Sequence, residues 1–324
     1  MNTQALEATA KMMVANGKGL IAIDESTTTC NKRFDKWEIP QTAETRRKYR
    51  ELIVSTPGLG ESISGAILYD KTIRQQKNDG TPFAKALMGV EIIPGIKVDT
   101  EAEKMAACPG EKITEGLAGL RACLTEYAQM GARLAKWRAV IAIGDGLPSE
   151  GCIEANAHVL ARYATLCQKT GLVPVVELEG LILKPNMVLP GSTCPKQATV
   201  NEVADATVSC LLRAVPAAVP GVAFLSGGQT GELASAHLNA MNVRFKSRLP
   251  WALAFSFGRA IQKPAFEIWH GDQNNVQAAQ QALYHRARSD RAARRGEYNA
   301  TVEADHRDIE PLVVSSLEHA GNVQ

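Results

Sequence analysis

A lysine at the end of a short apolar run is the residue whose placement most directly suggests chemistry. The apolar residues 181–183 precede Lys184, and Pro185 follows it. Proline cannot continue a central strand, so a strand over these residues ends at the lysine. Burial disfavours the ammonium form of an amine, which would make Lys184 a nucleophile able to form a Schiff base with a carbonyl compound. The structural alternative is a lysine that reaches solvent or pairs with a carboxylate.

Charged side chains also stand at the ends of other apolar runs. Glu177 follows VPVV, and Lys136 and Arg138 alternate with Trp137. A strand turns successive side chains to opposite faces, so both cations share one face and the indole takes the other. Two cations on an inward face need anionic partners, which Glu177 or a substrate phosphate could supply. The alternative, an edge strand with a solvated basic face, fits poorly with the apolar residues 139–143 that follow.

Two more runs end in charge, at Asp24 and at Lys97. Asp24 follows GLIAI, and Lys97 lies near the end of EIIPGIKV. A carboxylate at a strand end could accept a proton beside a cationic lysine. Asp24 or Ser26 could equally cap the helix that follows. The local sequence does not choose between these two roles.

The segment Ser226-Gly227-Gly228-Gln229 has the composition of a phosphate-binding loop. Its glycines let the backbone approach an anion, and a following helix N-terminus would present amide donors. Residues 225–229, LSGGQ, also resemble the signature of ATP-binding cassette proteins, but the sequence has no GxxxxGK[ST] segment, which excludes that class. Arg259, after the last apolar run, could add bidentate contacts to the same phosphate.

The sequence pattern predicts that the elements which position these residues alternate between strand and helix. This alternation is typical of a parallel α/β fold. Helical patterns, such as the one predicted over 114–130, separate most of the runs. In a (β/α)8 TIM barrel, the carboxyl ends of the strands meet at one mouth, where active sites lie. The sequence therefore predicts such a barrel, with the charged strand ends gathered at its mouth. The eight predicted strands cover residues 19–23, 63–68, 91–98, 132–143, 172–176, 181–183, 221–225 and 251–257.

Length and composition fit one large barrel. The 324 residues are 45% hydrophobic and 22% charged, so we predict a single domain over 1–324 with a loose tail after about 305. The net charge of +2 does not indicate a nucleic-acid partner, and no apolar run suggests a membrane span. Residues 1–16 lack the pattern of a signal peptide, so the expected location is cytoplasmic. Seven scattered cysteines and isolated histidines predict neither disulfides nor a metal site.

Taken together, the motifs resemble those of class I fructose-bisphosphate aldolases. The resemblance runs from about residue 5 to about 305 and implies a metal-independent Schiff-base lyase without a cofactor, usually a homotetramer, acting on fructose 1,6-bisphosphate in glycolysis and gluconeogenesis. The motifs that carry it, in chain order, are AIDES around Asp24, GIKVD around Lys97, AKWR with Lys136 and Arg138, VPVVE with Glu177, LKPNMV with Lys184, FLSGGQ with Ser226, and SFGRA with Arg259.

The resemblance also implies a role for each residue. Lys184 would form the imine with the ketone carbon, and Glu177 and Lys136 would move protons while it forms. Asp24 would take the hydroxyl proton as the carbon–carbon bond breaks. The implied phosphate-binding residues are Ser226, Gly227, Gly228 and Arg259 for one phosphate, and Lys97 and Arg138 for the other.

One departure from the family concerns the connection between the fifth and sixth strands. Family members place a helical connection there, whereas only residues 178–180 separate Glu177 from Leu181. Parallel strands normally need a crossover of about a dozen residues or more. If 172–184 were instead one strand, Glu177 and Lys184 would lie about 23 Å apart. The sequence thus predicts a barrel disrupted between these strands. The alternative function is a catalytically weak or inactive homologue that binds sugar phosphates.

A third reading is a related Schiff-base enzyme, a transaldolase or a deoxyribose-phosphate aldolase. It accounts less well for a site with two phosphate-binding ends. The chain also lacks the terminal tyrosine of animal aldolases, so no C-terminal tail is assigned to the site.

Overall fold

Eight parallel strands close into a barrel in the computed structural model of the chain, which describes residues 3–15, 17–106, 108–177, 182–191 and 193–305. The barrel strands are β1 (Gly19–Ile23), β2 (Ile63–Leu68), β3 (Ile93–Lys97), β6 (Leu134–Arg138), β7 (Val173–Glu177), β8 (Ile182–Leu183), β9 (Gly221–Phe224) and β10 (Ala252–Phe257). Two further strands, β4 (Ala102–Lys104) and β5 (Lys112–Thr114), pair antiparallel outside the barrel. The order around the barrel is β1-β10-β9-β8-β7-β6-β3-β2.

Helices surround the barrel and follow most of its strands. They are α1 (Thr3–Met13), α2 (Thr27–Asp35), α3 (Ala43–Val54), α4 (Asp70–Ile73), α5 (Phe83–Gly89), α6 (Leu120–Gln129), α7 (Glu150–Lys169), α8 (Val200–Ala214), α9 (Gly231–Phe245), α10 (Arg259–Trp269), α11 (Val276–Arg295) and α12 (Ala300–Ala304). Short 3-10 turns cover Leu59–Glu61, Lys246–Arg248 and Gln273–Asn275. No helix in the described ranges is long and apolar enough to cross a membrane.

Two apolar layers hold the strands in place. The lumen is filled by inward side chains such as Leu20, Leu134 and Val175, and α1 adds Met13 to the same cluster. The second layer lies between the strands and the outer helices. Large and small residues interlock in the lumen: a Cβ on Gly95 would lie 2.2 Å from Leu134 Cδ1, so the glycine makes room for the leucine.

The predicted strands and helices differ from the observed ones mainly at their ends. The helix predicted over 114–130 begins only at Leu120, because Thr114 belongs to β5 and pairs with Ala102. The strand predicted over 132–143 ends at Arg138.

The break predicted between the fifth and sixth barrel strands is not present in the sheet. Val175 pairs with Ile182 and Val176 with Leu183, so β7 and β8 are parallel neighbours and 172–184 is not one strand. Ile182, the first described residue of β8, pairs with Val175 and so lies two residues below the end of β7, about 7 Å at 3.3 Å per residue. Residues 178–181 lie outside the described residues.

Candidate active site

A cavity of about 860 Å³ opens at the carboxyl ends of the barrel strands. Of the ten residues predicted from the sequence, eight line it: Asp24, Lys136, Arg138, Lys184, Ser226, Gly227, Gly228 and Arg259. Lys97 does not line the cavity. The backbone of Glu177 ends β7 in register with Arg138, and its side chain is not among those described. The structure therefore brings most of the ten predicted residues together at one mouth of the barrel.

Lys184 follows β8 directly and its side chain is almost fully enclosed, with 1% exposed. Its backbone amide donates to the carbonyl of Val176 at 3.0 Å, which places Lys184 at the level of Glu177 on the neighbouring strand. The separation of about 23 Å deduced for a continuous strand is therefore wrong. Pro185 turns the chain away, and its carbonyl accepts from Leu225 at 2.9 Å. The strand-end lysine thus lines the cavity instead of reaching solvent at the surface.

Asp24 and Lys136 form an ion pair across the mouth, with Oδ2 and Nζ 2.8 Å apart. Burial would raise the pKa of Asp24, but the charges of Lys136 and Lys184, together with the hydrogen bond, lower it to about 2. The capping role falls instead to Ser26, whose hydroxyl accepts from the amide of Thr29. Asp24 is thus ionised in the resting site at neutral pH, close to the charges of two lysines.

Lys97 and Arg138 are joined through a buried carboxylate. Lys97 Nζ lies 2.8 Å from Asp99 Oδ2, and the backbone amide of Arg138 donates to Asp99 Oδ1 at 3.2 Å. The guanidinium of Arg138 lines the cavity, whereas the ammonium of Lys97 is committed to this pair. Asp99 followed a predicted strand in the sequence but was not assigned a role there.

The glycine loop and Arg259 lie on the opposite side of the mouth from β3 and β6 in the strand order. Gly227 and Gly228 have φ values of 58° and 87°, a conformation that favours glycine. Arg259 begins α10 and lines the same cavity. The loop and the guanidinium could therefore bind one anionic group together.

The charge of the cavity lining indicates an anionic ligand. Among the side chains that the structure describes, eight of lysine and arginine line it, against three of aspartate or glutamate. An excess of fixed cations in a cleft attracts and holds phosphates. Among the described residues, no group of three histidine, cysteine, aspartate or glutamate side chains could hold a metal ion.

A buried network behind Asp24 was not predicted from the sequence. Glu25 pairs with Arg33 at 2.6 Å and with Arg50 at 2.7 Å. Although burial would raise the pKa of Glu25, the two arginines lower it. Gln262 from α10 donates to the carbonyl of Ala22 in β1 and accepts from a tyrosine hydroxyl of α3. Only the AIDES motif pointed towards Glu25; the partners lie too far away in sequence to give a local signal.

The fold and the lysine-centred cavity define an aldolase-type barrel, and the chain belongs to the class I fructose-bisphosphate aldolase family. The sequence model of that family, described as fructose-bisphosphate aldolase class-I, matches residues 5–179 and 176–317. The two matches overlap at residues 176–179, where the sequence departs from the family.

Similar proteins with established names support the same family. The chain is 51% identical to the "Probable fructose-bisphosphate aldolase class 1" of Xanthomonas campestris pv. campestris, over 92% of this chain and 99% of that protein. It is 40% identical to the cytosolic fructose-bisphosphate aldolase 6 of Arabidopsis thaliana, over 97% of each. The Plasmodium falciparum aldolase, solved with TRAP and a small-molecule inhibitor, superposes with a TM-score of 0.87 at 40% identity, covering 91% of this chain and 95% of that one. The alternative of an inactive homologue finds no support in these similarities.

Proposed function

We propose that this chain catalyses the reversible cleavage of fructose 1,6-bisphosphate to dihydroxyacetone phosphate and glyceraldehyde 3-phosphate. The observation that carries the proposal is the enclosed amine of Lys184, next to the Asp24–Lys136 pair in a cavity rich in cations. An amine enclosed in this way can attack a ketone carbon, lose water and leave an imine that accepts electrons.

Each proton transfer of the proposed reaction has a residue that can carry it out. Lys184 adds to the ketone, and Lys136 with Glu177 transfers the protons that release water. Asp24 accepts the proton of one hydroxyl of the substrate. This hydroxyl is on the carbon of the breaking bond that lies farther from the imine. That carbon leaves as an aldehyde, and the bonding electrons pass to the imine, giving an enamine that is protonated and hydrolysed.

The two phosphates occupy opposite sides of the mouth. Ser226, Gly227 and Gly228 with Arg259 hold one of them. The other lies towards Arg138, while Lys97, which is paired with Asp99, supports that side. A substrate charged at both ends is thereby fixed with its ketone near Lys184. This holds the ketone carbon and the amine together, as imine formation requires.

The proposal includes the setting of the enzyme. We infer that one aldolase-type barrel domain spans residues 1–324, works in the cytoplasm, assembles as a homotetramer and needs no metal. The cytosolic plant relatives support the location, and the assembly is the one that the sequence resemblance implies.

Cleavage of fructose 1,6-bisphosphate, followed by trapping of both triose phosphates with coupled dehydrogenases, tests the reaction directly. The recombinant chain should turn over, and excess EDTA should not change the rate. Loss of activity in EDTA and its return with zinc would contradict the Schiff-base assignment. Absence of turnover, with the chain folded, would contradict the function.

A further inference from the structure

The loop assigned to one phosphate is held from behind by side chains with no role in the proposed chemistry. Gln229 Nε2 donates to the carbonyl of Ser226 at 2.9 Å, and the amide of Gln229 donates to the same carbonyl at 3.0 Å. His237, two turns into α9, places Nδ1 2.5 Å from Gln229 Oε1. A chain of hydrogen bonds therefore runs from the helix to the start of the loop.

The direction of this chain of hydrogen bonds follows from its last acceptor, the carbonyl of Ser226. A carbonyl only accepts, so the amide nitrogen of Gln229 faces Ser226 and its oxygen faces His237. The ring must then donate from Nδ1. Nε2 is buried and has no hydrogen-bond partner among the described residues. Burial lowers the pKa of His237, which favours the neutral ring with its proton on Nδ1.

The loop itself has little other support. Gly227 and Gly228 both take positive φ, and their amides donate to no protein group within the described part of the chain. Leu225, just before the loop, is fixed by its bond to Pro185. The end of the loop depends on Gln229, whose amide nitrogen also lies 3.6 Å from Met187 Sδ. Two glycines, the residues with the widest choice of backbone conformation, are thus held between two fixed ends.

We propose that Gln229 and His237 are positioning residues that hold the 226–228 loop in the shape that receives a phosphate of the substrate. The proposal rests on the proposed function only for the identity of the substrate. His237 contacts no substrate; it fixes Gln229, and Gln229 fixes Ser226. The ligand class at the loop is a phosphate monoester or inorganic phosphate.

The test compares His237→Phe, which keeps a ring of similar shape and loses the donor, with His237→Asn, which keeps a donor. Gln229→Met is the second variant, and His158→Phe, on the exposed face of α7, is the matched control. Inorganic phosphate is the probe, followed by 31P NMR titration and by its inhibition constant against cleavage. Thermal melting shows whether each variant is folded.

Loss of one such hydrogen bond should weaken phosphate binding about fivefold in His237→Phe and Gln229→Met. KM should rise by a similar factor while kcat changes less, because the loop binds the ground state and the transition state alike. His237→Asn should recover most of the affinity, and His158→Phe should match the parent chain.

Two results would overturn the positioning role. One is unchanged phosphate affinity in folded His237→Phe and Gln229→Met. The other is a fall in kcat with phosphate affinity intact, which would place His237 in the chemistry. The 31P titration does not depend on turnover, so a chain that fails to cleave fructose 1,6-bisphosphate would refute the proposed function and still decide this inference.

Discussion

At the scale of single residues, the site is organised by a carboxylate that is ionised in the resting site at neutral pH. Asp24 has a pKa of about 2 because Lys136 and Lys184 outweigh the effect of burial. A base must be in its carboxylate form before the hydroxyl proton is taken. The same lysines that keep Asp24 charged also border the imine carbon in the proposed reaction. The ionisation of Asp24, the base, thus depends on Lys136 and on Lys184, the nucleophile.

Replacing this carboxylate should affect turnover far more than binding. Asp24→Asn keeps the shape but removes the proton acceptor, and kcat should fall by about 10²–10⁴-fold with a small change in KM. Steady-state kinetics on fructose 1,6-bisphosphate measures both constants. Asp79→Asn, at an aspartate remote from the cavity lining, is the matched control. A kcat within a few-fold of the parent would remove Asp24 from the proton transfer.

Arg259 should behave in the opposite way. Its guanidinium lines the mouth beside the glycine loop, and Arg259→Ala removes a charge-assisted contact to phosphate. KM should rise about tenfold or more while kcat is retained more fully, since the lost contact serves ground state and transition state alike. Arg248→Ala, at an exposed arginine outside the cavity lining, provides the comparison. An unchanged KM would mean that Arg259 does not contact the substrate.

At the scale of elements, the last helices are joined by buried charge away from the mouth. Arg286 and Asp290 of α11 contact Ser235 of α9, and Arg286 also forms a bidentate pair with Glu303 of α12. Burial raises the pKa of Asp290 to about 7, and Arg286 only partly offsets this. The packing of three helices is therefore coupled to one carboxyl proton.

This coupling predicts a pH dependence of stability. The folded chain holds a proton on Asp290 that the unfolded chain releases above its ordinary pKa of 3.8, so stability from this group is full below 3.8 and is lost as pH rises towards 7. Asp290→Asn removes the titration and keeps an oxygen for Ser235. Relative to the parent, the variant should gain up to about 1.4 kcal/mol per pH unit between pH 4 and 7, then level off.

Urea unfolding at half-unit pH intervals measures the difference in the free energy of unfolding. A difference that stays constant from pH 4 to 8 would show that Asp290 titrates as in the unfolded chain. Asp205→Asn, at an exposed aspartate of α8, is the comparison variant.

The elements also show what a sequence can predict. Lys184, Glu177 and Asp24 were found because each follows an apolar strand, and in a parallel barrel strand ends share one mouth. The network of Glu25 and Gln262 could not be found in this way. The arginine partners of Glu25 lie on the two following helices, and the contacts of Gln262 join residues more than 200 positions apart through helix packing.

At the scale of the whole molecule, the barrel is closed although a disruption was predicted between β7 and β8. The predicted disruption assumed that the chain descends a full strand between these neighbours, whereas Ile182, the first described residue of β8, pairs with Val175 near the end of β7. Strand length at such a point depends on the register with both neighbours, here Val175 on one side and Gly221 on the other. Register is set by packing of the closed sheet, which local sequence does not specify.

The central claim, that Lys184 forms an imine within this closed barrel, has a direct test. The chain is incubated with dihydroxyacetone phosphate, reduced with borohydride and digested, and the modified peptide is located by mass spectrometry. Lys184→Met and Lys136→Met are treated in parallel. We predict one adduct, on Lys184, which is lost in Lys184→Met and forms more slowly, on the same residue, in Lys136→Met. An adduct on another lysine, or active enzyme that gives no adduct, would contradict the account.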